Sequence, residues 1–271
     1  MRQLIRTLCG LGAVMAVLSI LPGCGGSYAA PGRAADMSLL TSASSPERMP
    51  SSATEDPSID RTEILLQPRA DFPARIAVVR IQAPNYRSYT ARGHGSGAYS
   101  IVSTRDIEVE SDMERLHKMP QVAGIAVLNH LVLGGELKTD YELRRAAANL
   151  QADMLLVYTV DTIFAVEDTI EPLGVVTLGL FPSKQARINS TMSAVLMDTR
   201  TGFIYGLAEG SSAKTQLANH WTSESAVDQS RRRAERDAFL SLLDNIESMW
   251  TGVVNQHAPN APIEQARTSA R

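Results

Sequence analysis

The chain has 271 residues, 44% hydrophobic and 20% charged, which allows one large domain or two small ones. A net charge of −3 supplies no field to gather nucleic acid or anionic lipid, and aromatics at 5% are few for a protein that binds by stacking. Both cysteines, Cys9 and Cys24, lie at the N-terminus; in a mature chain beginning at Cys24 that excludes an internal disulfide and a multi-cysteine zinc site.

Arg2 and Arg6 form a positive n-region, residues 8–20 an apolar h-region, and Leu21-Pro22-Gly23-Cys24 closes it. This is the layout of a secretory signal, and its ending resembles a bacterial lipoprotein lipobox, with Cys24 as the lipidation site. The alternative is a plain transmembrane anchor, but the apolar run falls short of the ~20 residues a span needs, and Pro22-Gly23 and Gly25-Gly26 break it. The resemblance implies durable attachment through several acyl chains, since one chain binds only marginally. Gly25 stands where inner-membrane-retained lipoproteins often carry Asp, which favours the outer membrane and its periplasmic face where the source has two membranes.

The division expected is a signal peptide over 1–23, a lipidated cysteine and disordered tether over 24–72, an α/β domain over 73–253 and a disordered tail over 254–271. The tether is rich in Ser, Pro, Ala and Gly and has no apolar period. About 45 such residues span roughly 35–40 Å as a flexible coil. Ile64-Leu65-Leu66, the apolar cluster nearest the domain, is the candidate to dock on it.

Residues 75–82 (RIAVVRIQ) read as the first core strand, 83–97 as a loop and 99–104 as a second strand or the approach to a helix. Ser111 is expected to cap a short helix ended by Pro120, and residues 122–128 (VAGIAVL) form a further strand. Thr139 and Glu142 have capping-box spacing, and Leu143, Ala146, Ala147 and Leu150 recur at helical period. The apolar, β-rich run 154–160 directly after suits a strand covered on both faces. Residues 187–197 and 203–211 form an antiparallel pair around Asp198-Thr199-Arg200-Thr201-Gly202, with Gly202 at positive φ. Ser223 is expected to cap a long last helix to about Val253, apolar from Ala238 to Trp250 and charged over 228–237.

The stretches LRRAAANLQADMLLVYTVD and ARINSTMSAVLMDTRTGFIYG resemble the α/β domain shared by curli-secretion-channel lipoproteins, lipoprotein activators of penicillin-binding proteins and the N-terminal domain of the Tol-system propeller protein. Ala152-Asp153 and Asp198/Thr201-Gly202 match their forms, whereas Tyr158 stands where Gly is common. The resemblance covers about residues 75–250 and implies an α/β (α+β) fold: a single mixed sheet of about five strands with helices on it, ending in a β-hairpin and a long C-terminal helix. It implies no enzyme. Such domains serve as assembly platforms, ring-forming subunits or protein activators.

Residues 169–184 hold one apolar stretch between Pro172 and Pro182, not the two alternating arms of a membrane hairpin. Leu173, Val175, Val176, Leu178, Leu180 and Phe181 are an interface candidate, against a loop packed on its own domain. Gly93-His94-Gly95-Ser96-Gly97 lacks the Lys-Ser/Thr of a P-loop and reads as a loop, with Arg92 and His94 as the contacts if it binds anything. No pair among His94, His117, His130, His220 and His257 has metal spacing. Arg231-Arg232-Arg233 reads as a solvated face neutralised by i, i+4 partners Asp228 and Asp237. Trp221 reads as a staple of the last helix.

The expectation is a membrane-anchored, periplasm-facing lipoprotein acting as a non-catalytic protein-binding or assembly module. Its partners would be envelope proteins or itself, with no nucleic acid, cofactor, metal or small-molecule substrate. The alternatives are a ring-forming subunit of an export complex and, third, a cell-wall-associated enzyme.

Overall fold

The computed structural model describes residues 31–41, 67–133, 135–168, 184–218 and 224–258. In chain order its elements are α1 (Ser38–Thr41), β1 (Ala74–Gln82), β2 (Gly93–His94), β3 (Ser96–Gly97), β4 (Ser100–Val102), α2 (Glu110–His117), β5 (Val122–Val127), β6 (Glu136–Leu137), α3 (Asp140–Asn149), β7 (Met154–Asp168), β8 (Lys184–Asp198), β9 (Ile204–Ala218) and α4 (Glu224–His257). The fold class is the expected one. Seven strands form the main mixed sheet in the order β2-β4-β1-β7-β8-β9, with β5 on β1, and β3 and β6 make a small second sheet. The short β2 and β4 carry the count above five.

β1 is the pivot of this sheet. It runs parallel to β7 from Ile76↔Met154 to Arg80↔Tyr158. On its other edge it runs parallel to β5 from Ala74 to Val78, then antiparallel to β4 at Ile81 and Gln82. The partner changes between Val78 and Ile81, leaving a gap beside Arg80.

Residues 154–160 are buried throughout, as a central strand with both faces covered must be. On one face Leu155 and Val157 meet Leu143, Ala146 and Ala147 of α3 in one core. The alanines let α3 lie close. Its N-terminus carries the reciprocal box: Tyr141 N donates to Thr139 Oγ1 at 3.2 Å and Thr139 N to Glu142 Oε2 at 2.9 Å. On the other face Leu156, Tyr158 and Val160 meet Phe239, Leu242, Leu243, Ile246 and Trp250 of α4. α2 begins at Glu110 after Val109, not after a Ser111 cap; Asp112 Oδ2 accepts the Val109 N–H at 2.7 Å. A carboxylate in the first turn serves the exposed amides as a hydroxyl would.

β7, β8 and β9 are each 15 residues long. β7 leaves β1 after Tyr158, so its remaining residues pair only with β8, from Thr159↔Ser193 to Asp168↔Lys184. The three strands thus run on as an arm. α4 covers one face of it, reaching so close that a Cβ on Gly210 would stand 2.3 Å from Leu242 N. On the opposite face Ile163 is 59% exposed, in a row with Asn189 and Ala213.

Two expectations about the ends need correction. Part of the expected tether is structured. Ala35 and Leu40 are buried in the core on the α3 side, Ala35 N donates to Thr159 Oγ1 at 2.9 Å, and Ala83 N to Arg33 O at 3.2 Å. Farther along, Arg69 N donates to Asp198 Oδ2 at 2.7 Å and Phe72 lies 5.9 Å from Trp250. Apolar residues scattered at no regular period can still fill separate niches on a sheet. The last helix also runs past Val253 to His257, with Val253 and Val254 buried. Ile64-Leu65-Leu66, Ser223 and the tail beyond residue 258 lie outside the described residues.

Candidate functional site

The gap where β4 replaces β5 along β1 opens into a cavity of about 170 Å³. Val78 and Arg80 of β1 and Tyr158 of β7 floor it, and Glu108, in the connection to α2, closes its inner end. Ser103, Thr104, Arg105, Val127 and Asn129 form the mouth, where Thr104 and Arg105 are exposed. The position is outside the carboxyl end of a parallel strand, where α/β sheets commonly bind ligands.

Arg80 and Glu108 are buried side chains, 2% and 3% exposed. Tyr158 donates to Glu108 Oε1 at 2.6 Å, and Arg80 Nη1 lies 3.5 Å from the same oxygen and 2.8 Å from Asp106 Oδ1. Behind the cavity the network runs on into α4. Thr90 donates to Asp106 Oδ2 at 2.6 Å, and Arg231 Nη2 to Thr90 Oγ1 at 3.1 Å. Arg231 is also bound to Asp228 at 2.9 Å and to Glu235, and Glu235 accepts from Thr162 at 2.9 Å. Two buried guanidiniums therefore face four buried carboxylates, those of Asp106, Glu108, Asp228 and Glu235.

The electrostatics follow from that arrangement. Burial works against the Arg80 charge, but Glu108 and Asp106 hold it above the ordinary guanidinium value. Burial and the Glu108 charge push the Tyr158 hydroxyl well above the usual phenol range, so it stays protonated and donates. Burial raises Asp106 as well, but Arg80 and Thr90 outweigh it and its carboxyl lies below the ordinary value.

The expected solvated face at 231–233 is corrected here. Arg231 has a fully buried side chain, and Asp228 and Glu235 are likewise inside. The pair Asp228–Arg232 does form, at 3.2 Å, but Asp237 is bound to Lys214 of β9. An arginine pays for its burial only with well-placed carboxylates, and Asp106 from the loop before α2 joins those of α4 itself.

Of the residues singled out in the sequence, Arg92 and His94 lie apart from the cavity. His94 is in β2 and stacks on His130 at 4.0 Å between centroids. Burial, then His130 and Arg92, lower its pKa below the ordinary histidine value. Ser103 Oγ lies 2.9 Å from His130 Nδ1 and accepts that residue's backbone N–H at 3.1 Å. The hydroxyl thus clamps the loop to β4 rather than standing free as a nucleophile. Among the described residues no group of three metal-ligating side chains occurs, and no helix is long and apolar enough to cross a membrane. Cys24, Trp221, His220 and the interface candidates Leu173, Val175, Val176, Leu178, Leu180 and Phe181 lie outside the described residues.

Glu108, Arg80 and Asp106 were not marked by any motif. The one available signal was Tyr158, the position at which the strand departs from the pattern it resembles. That tyrosine is the side chain that binds Glu108.

No family model matches the sequence, and no curated protein matches it. Among solved structures it is similar to a point variant of the PelC dodecamer from Paraburkholderia phytofirmans, at 15% identity and a TM-score of 0.23, over 64% of this chain and 94% of that one.

Proposed function

We propose that this chain is a lipid-anchored envelope protein, attached through Cys24, whose α/β domain is a non-catalytic binding module working close to the membrane surface. The observation that carries the reading is the docking of residues 32–35 on the sheet, which begins eight residues after Cys24 with Gly32 against Tyr86 and Arg33 bonded to Ala83. Covalent geometry limits eight residues to about 30 Å. The domain is therefore held at the lipid rather than on a tether of some 45 residues.

Two further features support it. The docked segment lies on the same side of the sheet as the face of the arm that no described residue covers at Ile163, through the bond from Ala35 to Thr159, so Ile163 and its neighbours are presented on the anchored side. The sequence likeness to curli-channel, penicillin-binding-protein-activator and Tol-propeller domains points to assembly work in the envelope. In a source with two membranes, Gly25 after the lipidated cysteine favours the outer membrane and its periplasmic face.

The test is a photo-crosslinking residue at Ile163 in cells, in the natural chain and in Cys24→Ala. The expected result is discrete adducts, to another envelope protein or to a second copy, that disappear when Cys24→Ala releases the protein from membranes. Membrane association unchanged in Cys24→Ala overturns the anchor. An absence of adducts from the anchored chain overturns the binding role of the arm.

A further inference from the structure

The geometry points to the cavity beside Arg80 and Glu108 as a binding site for a small neutral, hydroxyl-rich molecule of about one six-membered ring. Two observations carry this. First, among the described residues Glu108 Oε2 and Arg80 Nε are buried without a hydrogen-bond partner, and both residues line the cavity. Buried polar atoms are nearly always satisfied, and an unmet donor beside an unmet acceptor is what an incoming group would complete. Second, the cavity reaches solvent. Thr104 and Arg105 at its mouth are exposed, so a ligand can enter without opening the core.

Charge and size select the class. A cation satisfies Glu108 but meets the buried Arg80 guanidinium beside it, while Arg105 at the mouth is already paired with Glu110 at 3.0 Å. An anion satisfies Arg80 but meets Glu108 and, behind it, Asp106. A hydroxyl is donor and acceptor in one atom, so a ligand carrying adjacent hydroxyls serves Glu108 Oε2 and Arg80 Nε together and adds no charge. Thr104 offers a further hydroxyl at the mouth, while Val78, Val102, Met113, Val127 and Leu128 give the walls an apolar face for a ring. A cavity of about 150 Å³ admits benzene, so about 170 Å³ admits one ring and not two.

Methyl NMR on the full chain in detergent tests this, because the walls carry valine, leucine and methionine methyls. Glucose and myo-inositol are the neutral probes, with arginine as the cation and inorganic phosphate as the anion. The expected result is saturable shifts of the Val78, Val102, Val127, Leu128 and Met113 methyls with a neutral ring and none with arginine or phosphate. Glu108→Gln should weaken the response about tenfold, the loss of one bond to a charged acceptor. Since Glu108 belongs to the buried network, Thr104→Trp is the second variant. It stands at the exposed mouth, leaves the network intact and should abolish the shifts by closing the entrance. Saturable shifts with arginine or phosphate overturn the assignment to a neutral ligand. No shift with any probe overturns the site and leaves the cavity to water. Neither result depends on the anchor at Cys24 or on the arm.

Discussion

Arg231 Nη2 lies 3.6 Å from Asp106 Oδ2, joining the last helix to the loop before α2 across the end of the sheet. Both side chains are buried, at 0% and 4% exposure. Arg80 approaches the other oxygen of Asp106 at 2.8 Å, so one carboxylate links β1, the loop and α4.

Removing one member of such a network leaves the others buried and uncompensated. Arg231→Met should therefore destabilise the domain by about 3–5 kcal/mol, the cost of breaking a buried pair from one side. Arg233, two residues on, is exposed; Arg233→Met should stay within about 0.5 kcal/mol. Urea denaturation of the two variants checks this. Equal small losses would mean that the three arginines share one solvated face after all.

Gly210 makes a steric prediction. A Cβ there would stand 2.3 Å from Leu242 N and 2.6 Å from Ala238 O, both backbone atoms of α4. Gly210→Ala must push the helix off the strand, and overpacking of this kind costs about 1–3 kcal/mol or more. At Gly206 the atoms met are the Cγ and Sδ of Met249, at 2.7 Å, on a flexible side chain that can swing away. Gly206→Ala should therefore cost clearly less. Thermal melts of the pair give the comparison.

What could be read in the sequence was what is encoded over short distances. The α3 box needs only Thr139 and Glu142, and the burial of β7 shows in the unbroken β-rich run 154–160. Gly202 at φ 77° is demanded by the turn around it. The network was not legible because its members lie far apart: Arg231 meets Thr90 from 141 residues away, and Tyr158 meets Glu108 from 50. A charged helical stretch reads as surface until its carboxylate partners are placed. The docked residues 32–40 were hidden for another reason, since Ala35 and Leu40 sit in a Ser-, Pro- and Ala-rich run whose composition matches a linker.

Asp198 holds the hairpin turn and the entering chain together. Its Oδ1 accepts the N–H groups of Arg200 and Thr201 at 2.8 and 3.0 Å, and its Oδ2 accepts from Arg69 N and the Tyr205 hydroxyl at 2.7 and 2.9 Å. Asp198→Ala would orphan four donors at a fully buried position, at about 1–3 kcal/mol for each that water cannot reach. A loss of about 3 kcal/mol is expected on that basis. Hydrogen exchange should quicken at Arg69 and Arg200 together. If only Arg200 quickens, the entering segment is not held through this carboxylate.

Asp106 sets an acid limit on stability. Its carboxyl lies below the ordinary value of 3.8 in the folded chain, because Arg80, Thr90 and Arg231 favour the ionised form more than burial opposes it. A carboxylate depressed on folding contributes its stability above the unfolded pKa and loses it as pH falls through the folded one. The natural chain should thus be less stable than is explained by its other carboxylates once the pH drops below about 4. Asp106→Asn carries no charge to lose. It should be the weaker protein at about pH 6, by about 3 kcal/mol for a buried pair broken on one side. The gap between the two should narrow steadily as acid protonates Asp106 in the natural chain, and urea midpoints measured from about pH 6 to about pH 2.5 would follow it. A gap that stays constant over that range would mean that Asp106 does not titrate with folding and that its ion pairs with Arg80 and Arg231 do not hold it ionised.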